Sequence, residues 1–180
     1  MSNIPKIFAQ CIERDFDDLL FGLGFSKTKN QADDRSFTVI YKNAQLYVKI
    51  GASLDPRDGC LWLTFGEGST EFPESDWNGT ALWRLVDKLS AVDSAKEKDL
   101  YEISEDLSRG EIEDKARRLL LSCKAHGLSF LTGDLSVFHR VRSAQNQSRE
   151  PYKISSSDTT GHFSTRNDEE SQRLKEKFSK

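Results

Sequence analysis

The sequence predicts an α+β fold, in which an antiparallel meander sheet of three to five strands carries an N-terminal helix and C-terminal helices packed mainly on one face. Apolar residues recur every three to four positions between residues 4 and 23, which is the period of an amphipathic helix. The period changes to two across residues 37–65, which is typical of strands. It returns to about 3.6 after residue 80, which predicts further helices.

The first helix is predicted over residues 4–23 by one apolar stripe. Pro5 suits the first turn, where a missing N–H costs little. Gly24 predicts the end of the helix, because glycine accepts a left-handed backbone, and Phe25 can fold back onto the last turn. The stripe consists of Phe8, Cys11, Ile12, Phe16, Leu19, Leu20 and Leu23.

Three alternating runs predict three strands joined by short turns, and a shorter strand is expected near residues 25–29. Residues 55–59 have proline and glycine where a tight turn needs them. The opposite, outer face carries the mixed set Ile40, Tyr47, Lys49 and Trp62. The apolar face, which the first helix should cover, consists of Phe37, Val39, Tyr41, Leu46, Val48, Ile50, Leu61, Leu63 and Phe65.

Further helices are predicted over residues 80–91 and 111–126, and a last short helical element follows Gly133. Trp83 is interpreted as an anchor of the 80–91 helix on the core. Together these elements make residues 1–142 a single domain. Residues 143–180 are rich in Ser and Thr and poor in apolar side chains, so we expect a mobile tail with a short charged helix near its end.

Composition excludes several classes of protein. The net charge of −3 provides no general attraction for nucleic acid or for anionic membranes. The longest apolar runs are far shorter than a membrane helix of roughly 20 residues, and no signal peptide is visible, so a cytoplasmic protein is expected. Three widely spaced cysteines favour reduced thiols over a disulfide framework. The sequence does not indicate an oligomeric state.

No catalytic, metal-binding or cofactor-binding motif is assembled in the sequence. His126, His139 and His162 lack the spacing of zinc ligands. The glycines around Glu67 lack the lysine of a phosphate-binding loop. We therefore expect no metal and no cofactor and favour a non-enzyme, although an enzyme with a non-standard site stays open as an alternative. A second alternative is a nucleic-acid binder that uses Tyr47, Lys49 and Trp62 on the outer sheet face.

The favoured function is binding of another protein. The loop of residues 66–79 combines acidic groups with aromatic side chains, as a binding hot spot with a polar rim requires. Its acidic charge would suit a basic partner, such as a toxin or enzyme directed at nucleic acid. Asp17 and Asp18 on the first helix are expected to adjoin the loop. The candidate loop residues are Glu67, Glu71, Phe72, Glu74, Asp76 and Trp77.

Three short motifs carry a resemblance to known proteins. They are the end of the first helix, Phe21-Gly22-Leu23-Gly24-Phe25 within residues 12–25, the strand Tyr47-Val48-Lys49-Ile50, and Leu131-Thr132-Gly133-Asp134-Leu135. With this order of elements, residues 5–142 resemble a broad group of small bacterial α+β proteins, many of which are assigned as immunity proteins of toxin systems. The resemblance implies stoichiometric inhibition of a cognate toxin or enzyme, and it implies no catalytic residue.

Overall fold

The computed structural model describes residues 3–55, 60–89, 98–157 and 163–180. These residues form helices and strands in an α+β arrangement, as the sequence predicts. The helices are Ile4–Gly22 (α1), Glu74–Asn78 (α2), Leu82–Leu89 (α3), Lys98–Tyr101 (α4), Arg109–His126 (α5), Leu128–Leu131 (α6), Ser136–Ser148 (α7) and Glu169–Phe178 (α8). The strands are Ser26–Ala32 (β1), Ser36–Lys42 (β2), Leu46–Ser53 (β3), Cys60–Glu67 (β4), Gly79–Ala81 (β5), Lys153–Ser157 (β6) and Phe163–Asn167 (β7).

The main sheet is antiparallel and has the order β1-β2-β3-β4-β5. The predicted meander is β2-β3-β4, and the predicted short strand is β1. The fifth strand, β5, was not predicted, because its three residues are too few to display an alternating pattern. Of the predicted turn at residues 55–59, positions 56–59 lie outside the described residues.

The predicted inner face is confirmed, because each of its nine side chains is buried. It is covered by α1, which also packs against α5, and the apolar stripe of α1 places Phe8, Ile12 and Phe16 on the sheet with no exposed surface. The end of α1 is also as predicted. Gly24 has a φ of 81°, and the N–H of Phe25 donates to the Leu20 carbonyl at 2.9 Å.

The expected division of the chain after Arg142 differs from the structure. That position lies inside α7, which continues to Ser148. Beyond it, β6 and β7 form a hairpin, and the predicted terminal helix is α8. Leu174 and Phe178 are four positions apart on α8, so they share one helical face and pack with Trp77 and Tyr152 in a second, smaller core. A few apolar residues therefore suffice to dock α8 on the rest of the chain, because their spacing places them on one face of the helix.

No helix in the described parts of the chain has the length and apolar character needed to cross a membrane. Among the three cysteines, Cys11 and Cys123 are buried in the main core, and Cys60 is partly exposed at the start of β4.

A candidate binding groove on the outer face of the sheet

The outer face of the main sheet is organised by two glycines that lie opposite aromatic residues. Tyr47 pairs with Gly66 across β3 and β4, and Trp62 pairs with Gly51 four residues further along the two strands. A Cβ atom on Gly66 would lie 2.1 Å from the Tyr47 ring, and one on Gly51 would lie 2.5 Å from the Trp62 ring. Each ring therefore lies across a glycine of the neighbouring strand. The cross-strand pair of Lys49 and Thr64 forms a row between the two rings.

A groove of about 990 Å³ lies above this row. Lys49 and Thr64 pair with each other in its floor, and Trp62 lines one side. The walls come from the loop before α2, from α2 and β5, from the start of α3 and from α7. They contribute Phe72, Ser75, Asp76, Thr80, Ala81, Trp83, Arg84 and Gln145. The wall formed by β5 and α7 is fixed by a hydrogen bond of 2.9 Å from the Thr80 hydroxyl to the Gln145 side chain.

Two cations in the groove have no acidic partner among the described residues. Neither Lys49 nor Arg84 forms an ion pair with a described carboxylate. The Arg84 guanidinium lies 4.4 Å from the centre of the Trp83 ring. Partial burial lowers the pKa of Arg84, and the positive charge of Arg149 lowers it further, although Asp87 acts in the opposite direction. An arginine stays protonated despite such a shift, so the groove carries two charges that an anionic group can neutralise.

Exposed aromatic surface borders the same groove. Phe72 is 73% exposed and Trp83 is 40% exposed, whereas Trp62 is half-buried. A binding site typically combines large aromatic surfaces with charges that have no ion-pair partner. A bound ligand covers the aromatic surface, which removes it from water, and pairs with the charges.

The predicted acidic loop is arranged differently from the sequence-based expectation. Three of its acids are engaged within the chain and do not form an open acidic surface. Glu67 binds both Arg142 and His139, the latter at 2.9 Å. Glu74 pairs with Lys177 at 3.4 Å, and Asp76 binds Arg149 and the Tyr152 hydroxyl.

The cations that pair with these acids come from α7, α8 and the residues between them. The sequence prediction treated most of that region as a separate tail, so it had no reason to pair the loop acids with it. Glu71 remains exposed in the loop, with its side chain at the surface.

The two aromatic residues predicted for the loop have opposite environments. Trp77 has no exposed surface and belongs to the second core, so it is not accessible to a partner. The Arg149 guanidinium lies 4.4 Å from its ring centre, which places a charge over the core from outside. Phe72 lies at the surface, and its ring packs against that of Tyr152 with 5.6 Å between centroids. Of the two predicted contact residues, Phe72 is the one that a partner can reach.

Asp17 and Asp18 lie on α1, on the side of the sheet opposite to the groove, and do not adjoin the loop. The carboxylate of Asp17 accepts a hydrogen bond of 2.7 Å from the Tyr41 hydroxyl and pairs with Lys27 at 3.0 Å. Asp17 therefore anchors β1 and β2 to α1. Asp18 is exposed on the helix surface.

The outer-face set proposed for nucleic acid is divided by the structure. Tyr47 has no exposed surface, because α2 covers it and its hydroxyl donates to the Asn78 side chain at 2.6 Å. Burial raises its pKa, and the nearby charges of Glu74 and Asp76 raise it further. A base cannot stack on a ring in this position. Lys49 and Trp62 do line the groove.

Sequence reasoning missed Trp83, Arg84 and Gln145 as groove residues. Trp83 was interpreted as a core anchor, yet its ring is partly exposed. A signal was available, because consecutive helical residues are turned by about 100°. Leu82, Leu85 and Val86 form the buried stripe of α3, and that spacing places Trp83 off the stripe. For Gln145 no local signal existed, since its place depends on how α7 packs beside β5.

Among the described residues, no group of three His, Cys, Asp or Glu side chains is close enough to hold a metal ion. The titratable groups that line the groove are Tyr47, Lys49, Asp76 and Arg84, of which Tyr47 and Asp76 are bound within the chain. Comparison of the chain with protein-family models, with curated proteins and with solved structures yields no match. The functional conclusion therefore rests on the geometry of the groove.

Proposed function

We propose that this chain is a non-catalytic protein-binding module that neutralises a cognate protein, and that its partner docks in the outer-face groove. The observation that carries the proposal is that one cavity is lined both by two cations, Lys49 and Arg84, that form no ion pair with a described carboxylate and by the exposed rings of Trp83 and Phe72. A surface of this kind gains both apolar burial and charge pairing when a partner covers it.

The groove replaces the acidic loop as the proposed contact surface. The loop acids Glu67, Glu74 and Asp76 already have cationic partners in the chain, so binding a basic partner would first have to break those pairs. The groove cations incur no such cost. The electrostatic complement of the groove is an acidic partner surface, not the basic one that the loop suggested.

The neutralising role is supported by the resemblance of residues 5–142 to proteins of the immunity type. Inhibitors of this kind act by occupying a surface of their target, which requires a shaped and charged contact site but no reaction centre. The groove has that composition, with apolar rings beside fixed charges.

Affinity capture from cells that make the protein tests the docking surface. The bait is compared with a groove variant, Lys49→Glu/Arg84→Glu, and with a loop variant, Glu71→Lys. The loop variant changes an exposed acid that forms no ion pair among the described residues. We expect the groove variant to lose the partner and the loop variant to keep it. Equal capture by all three baits would contradict the placement of the partner in the groove.

Co-expression tests the neutralising role. The captured partner is expressed alone, with the wild-type chain and with the groove variant. We expect the wild-type chain, but not the groove variant, to suppress the growth inhibition or enzymatic activity of the partner. Native mass spectrometry should show a complex of defined stoichiometry between the partner and the wild-type chain. A partner whose activity is unchanged in the complex would show that the chain binds without inhibiting.

A further inference from the structure

We infer that the partner presents an acidic segment with an aromatic or large aliphatic anchor, and that this segment extends beyond the groove along the surface between α3 and α7. The inference rests on the proposed function, because it specifies the chemistry of the partner at the same site.

The groove continues into two smaller hollows between α3 and α7. The first, of about 210 Å³, shares Trp83, Arg84 and Gln145 with the groove. The second, also about 210 Å³, shares Lys88, Val141 and Ala144 with the first. Because neighbouring depressions share lining residues, the three lie next to one another in a row that runs from the sheet to the surface between α3 and α7. We call this row the track.

Positive charge predominates along this track although the whole chain has a net charge of −3. The track residues include four cations, Lys49, Arg84, Lys88 and Arg140, and two acids, Asp76 and Asp87. Asp76 is neutralised by Arg149. None of the four cations forms an ion pair with a described carboxylate. An acidic segment is therefore the electrostatic complement of the track.

Apolar surface is concentrated on the same track. Phe72, Trp83 and Leu89 are 73%, 40% and 46% exposed. Phe72 lines the groove, Trp83 lines the groove and the first hollow, and Leu89 lines the second hollow. The anchor of a bound segment can cover these side chains and so remove apolar surface from water. A partner segment that alternates acidic and large apolar side chains would satisfy both features.

A peptide segment fits the track better than a single-stranded nucleic acid. Nucleic acid needs open aromatic faces for its bases, and Tyr47 is buried whereas one face of Trp83 is taken by Arg84. A nucleic acid also carries a charge at each nucleotide, so the acidic balance of the rest of the chain opposes it. A short acidic peptide can pair with the track cations and, unlike a nucleic acid, brings few further negative charges close to the acidic remainder of the chain.

The probe for this inference is a library of random 12-residue peptides displayed on phage and selected on the immobilised full-length chain. We expect the selected peptides to be enriched in Asp and Glu together with Trp, Phe, Tyr or Leu. A selected peptide, labelled with fluorescein, is then titrated by fluorescence anisotropy at low and at raised salt. Its affinity should fall as salt rises, because the contacts are partly ionic.

Matched charge variants locate the binding. In the track variant Lys49→Gln/Arg84→Gln the peptide should bind at least about tenfold more weakly. The control Arg117→Gln/Lys124→Gln removes the same charge from exposed positions of α5 and should change the affinity by less than about twofold. Circular dichroism confirms that both variants fold.

Four outcomes would overturn the inference. They are selection of neutral or basic peptides, equal binding by the track variant, tighter binding of a fluorescein-labelled 12-nucleotide deoxythymidine strand, and failure of the library to yield any binder. The proposed function is judged separately by capture of the whole partner protein. Capture that depends on Lys49 and Arg84, combined with an empty selection, would retain the groove as the docking site and reject the acidic segment.

Discussion

At the scale of single residues, the outer face depends on glycines that leave room for aromatic rings. The Tyr47 ring lies across Gly66 beneath α2, and its hydroxyl donates to Asn78, the last residue of that helix. The Trp62 ring lies across Gly51 in the same manner. Because neither glycine has a side chain, there is room for each ring to lie flat on the neighbouring strand. The sheet surface between the two rings is the floor of the groove.

Gly66→Ala should destabilise the protein by about 1–3 kcal/mol, because the new methyl would overlap the buried Tyr47 ring. The ring cannot easily move, since its hydroxyl is held by Asn78 at 2.6 Å. The control is Gly110→Ala in α5, where a Cβ atom meets nothing within 4 Å. That change should be neutral or should stabilise the helix by up to about 1 kcal/mol. Urea unfolding of both variants measures the difference, and similar effects would refute the steric account.

Cys123 makes stability depend on pH in the alkaline range. Burial raises the pKa of its thiol from 9.0 to about 12 in the folded protein. Between these values the unfolded chain releases the proton and the folded chain does not. The contribution of the thiol to stability is therefore complete below pH 9.0 and is lost as the pH rises toward about 12.

Urea unfolding of the wild type and of Cys123→Ala at several alkaline pH values tests this dependence. Above pH about 9, the wild type should lose up to about 1.4 kcal/mol per pH unit more than the variant, which has no thiol to titrate at this position. Parallel pH profiles for the two proteins would mean that Cys123 is not shielded in solution.

At the scale of elements, α8 fixes the side of the groove that contains α2. It packs on α2 and α7, and Leu174 and Phe178 enclose Trp77 with Tyr152. The Asn146 side chain joins the elements by donating to the carbonyls of Trp77 at 2.7 Å and Phe178 at 3.1 Å. The loop that carries Phe72 is thereby held by a segment that lies about 100 residues further along the chain.

Leu174→Ala should weaken the docking of α8 by about 2–4 kcal/mol, because it opens a cavity in a core of only a few side chains. Its matched control is Arg173→Ala on the exposed face of the same helix, which should have little effect. Amide hydrogen exchange of α8, together with the urea midpoint, measures the change. Equal exchange in the two variants would argue against a docked α8.

At the scale of the whole molecule, two cores are joined by polar contacts. Arg142 is 7% exposed and lies between them, with its guanidinium 5.0 Å from the Phe138 ring centre and 5.1 Å from that of Phe178. It also pairs with Glu67 at the end of β4. Three acids of the 66–79 loop form such ion pairs within the chain. The track cations form no ion pair with a described carboxylate. The chain is acidic as a whole and locally basic where we place its partner.

Much of the main domain could be predicted from the sequence because its patterns are local. The stripe of α1, the alternation in β2, β3 and β4, and the stop at Gly24 each follow from neighbouring residues. The sequence also placed Lys49 and Trp62 on the outer face, where both now line the groove. By contrast, β5 and the docking of α8 rest on contacts between distant segments, which a single sequence does not display.

The sequence by itself determined the class of fold and the face of the sheet that forms the core. Hydrophobic periodicity and turn chemistry suffice for these, because each acts over a few residues. Tertiary structure alone decided which charges are available to a partner. The carboxylates of Glu67, Glu74 and Asp76 look free in the sequence, yet α7, α8 and Arg149 neutralise them, whereas Lys49 and Arg84 face a cavity. Charge availability depends on distance in space, and that distance is set only when the two cores come together.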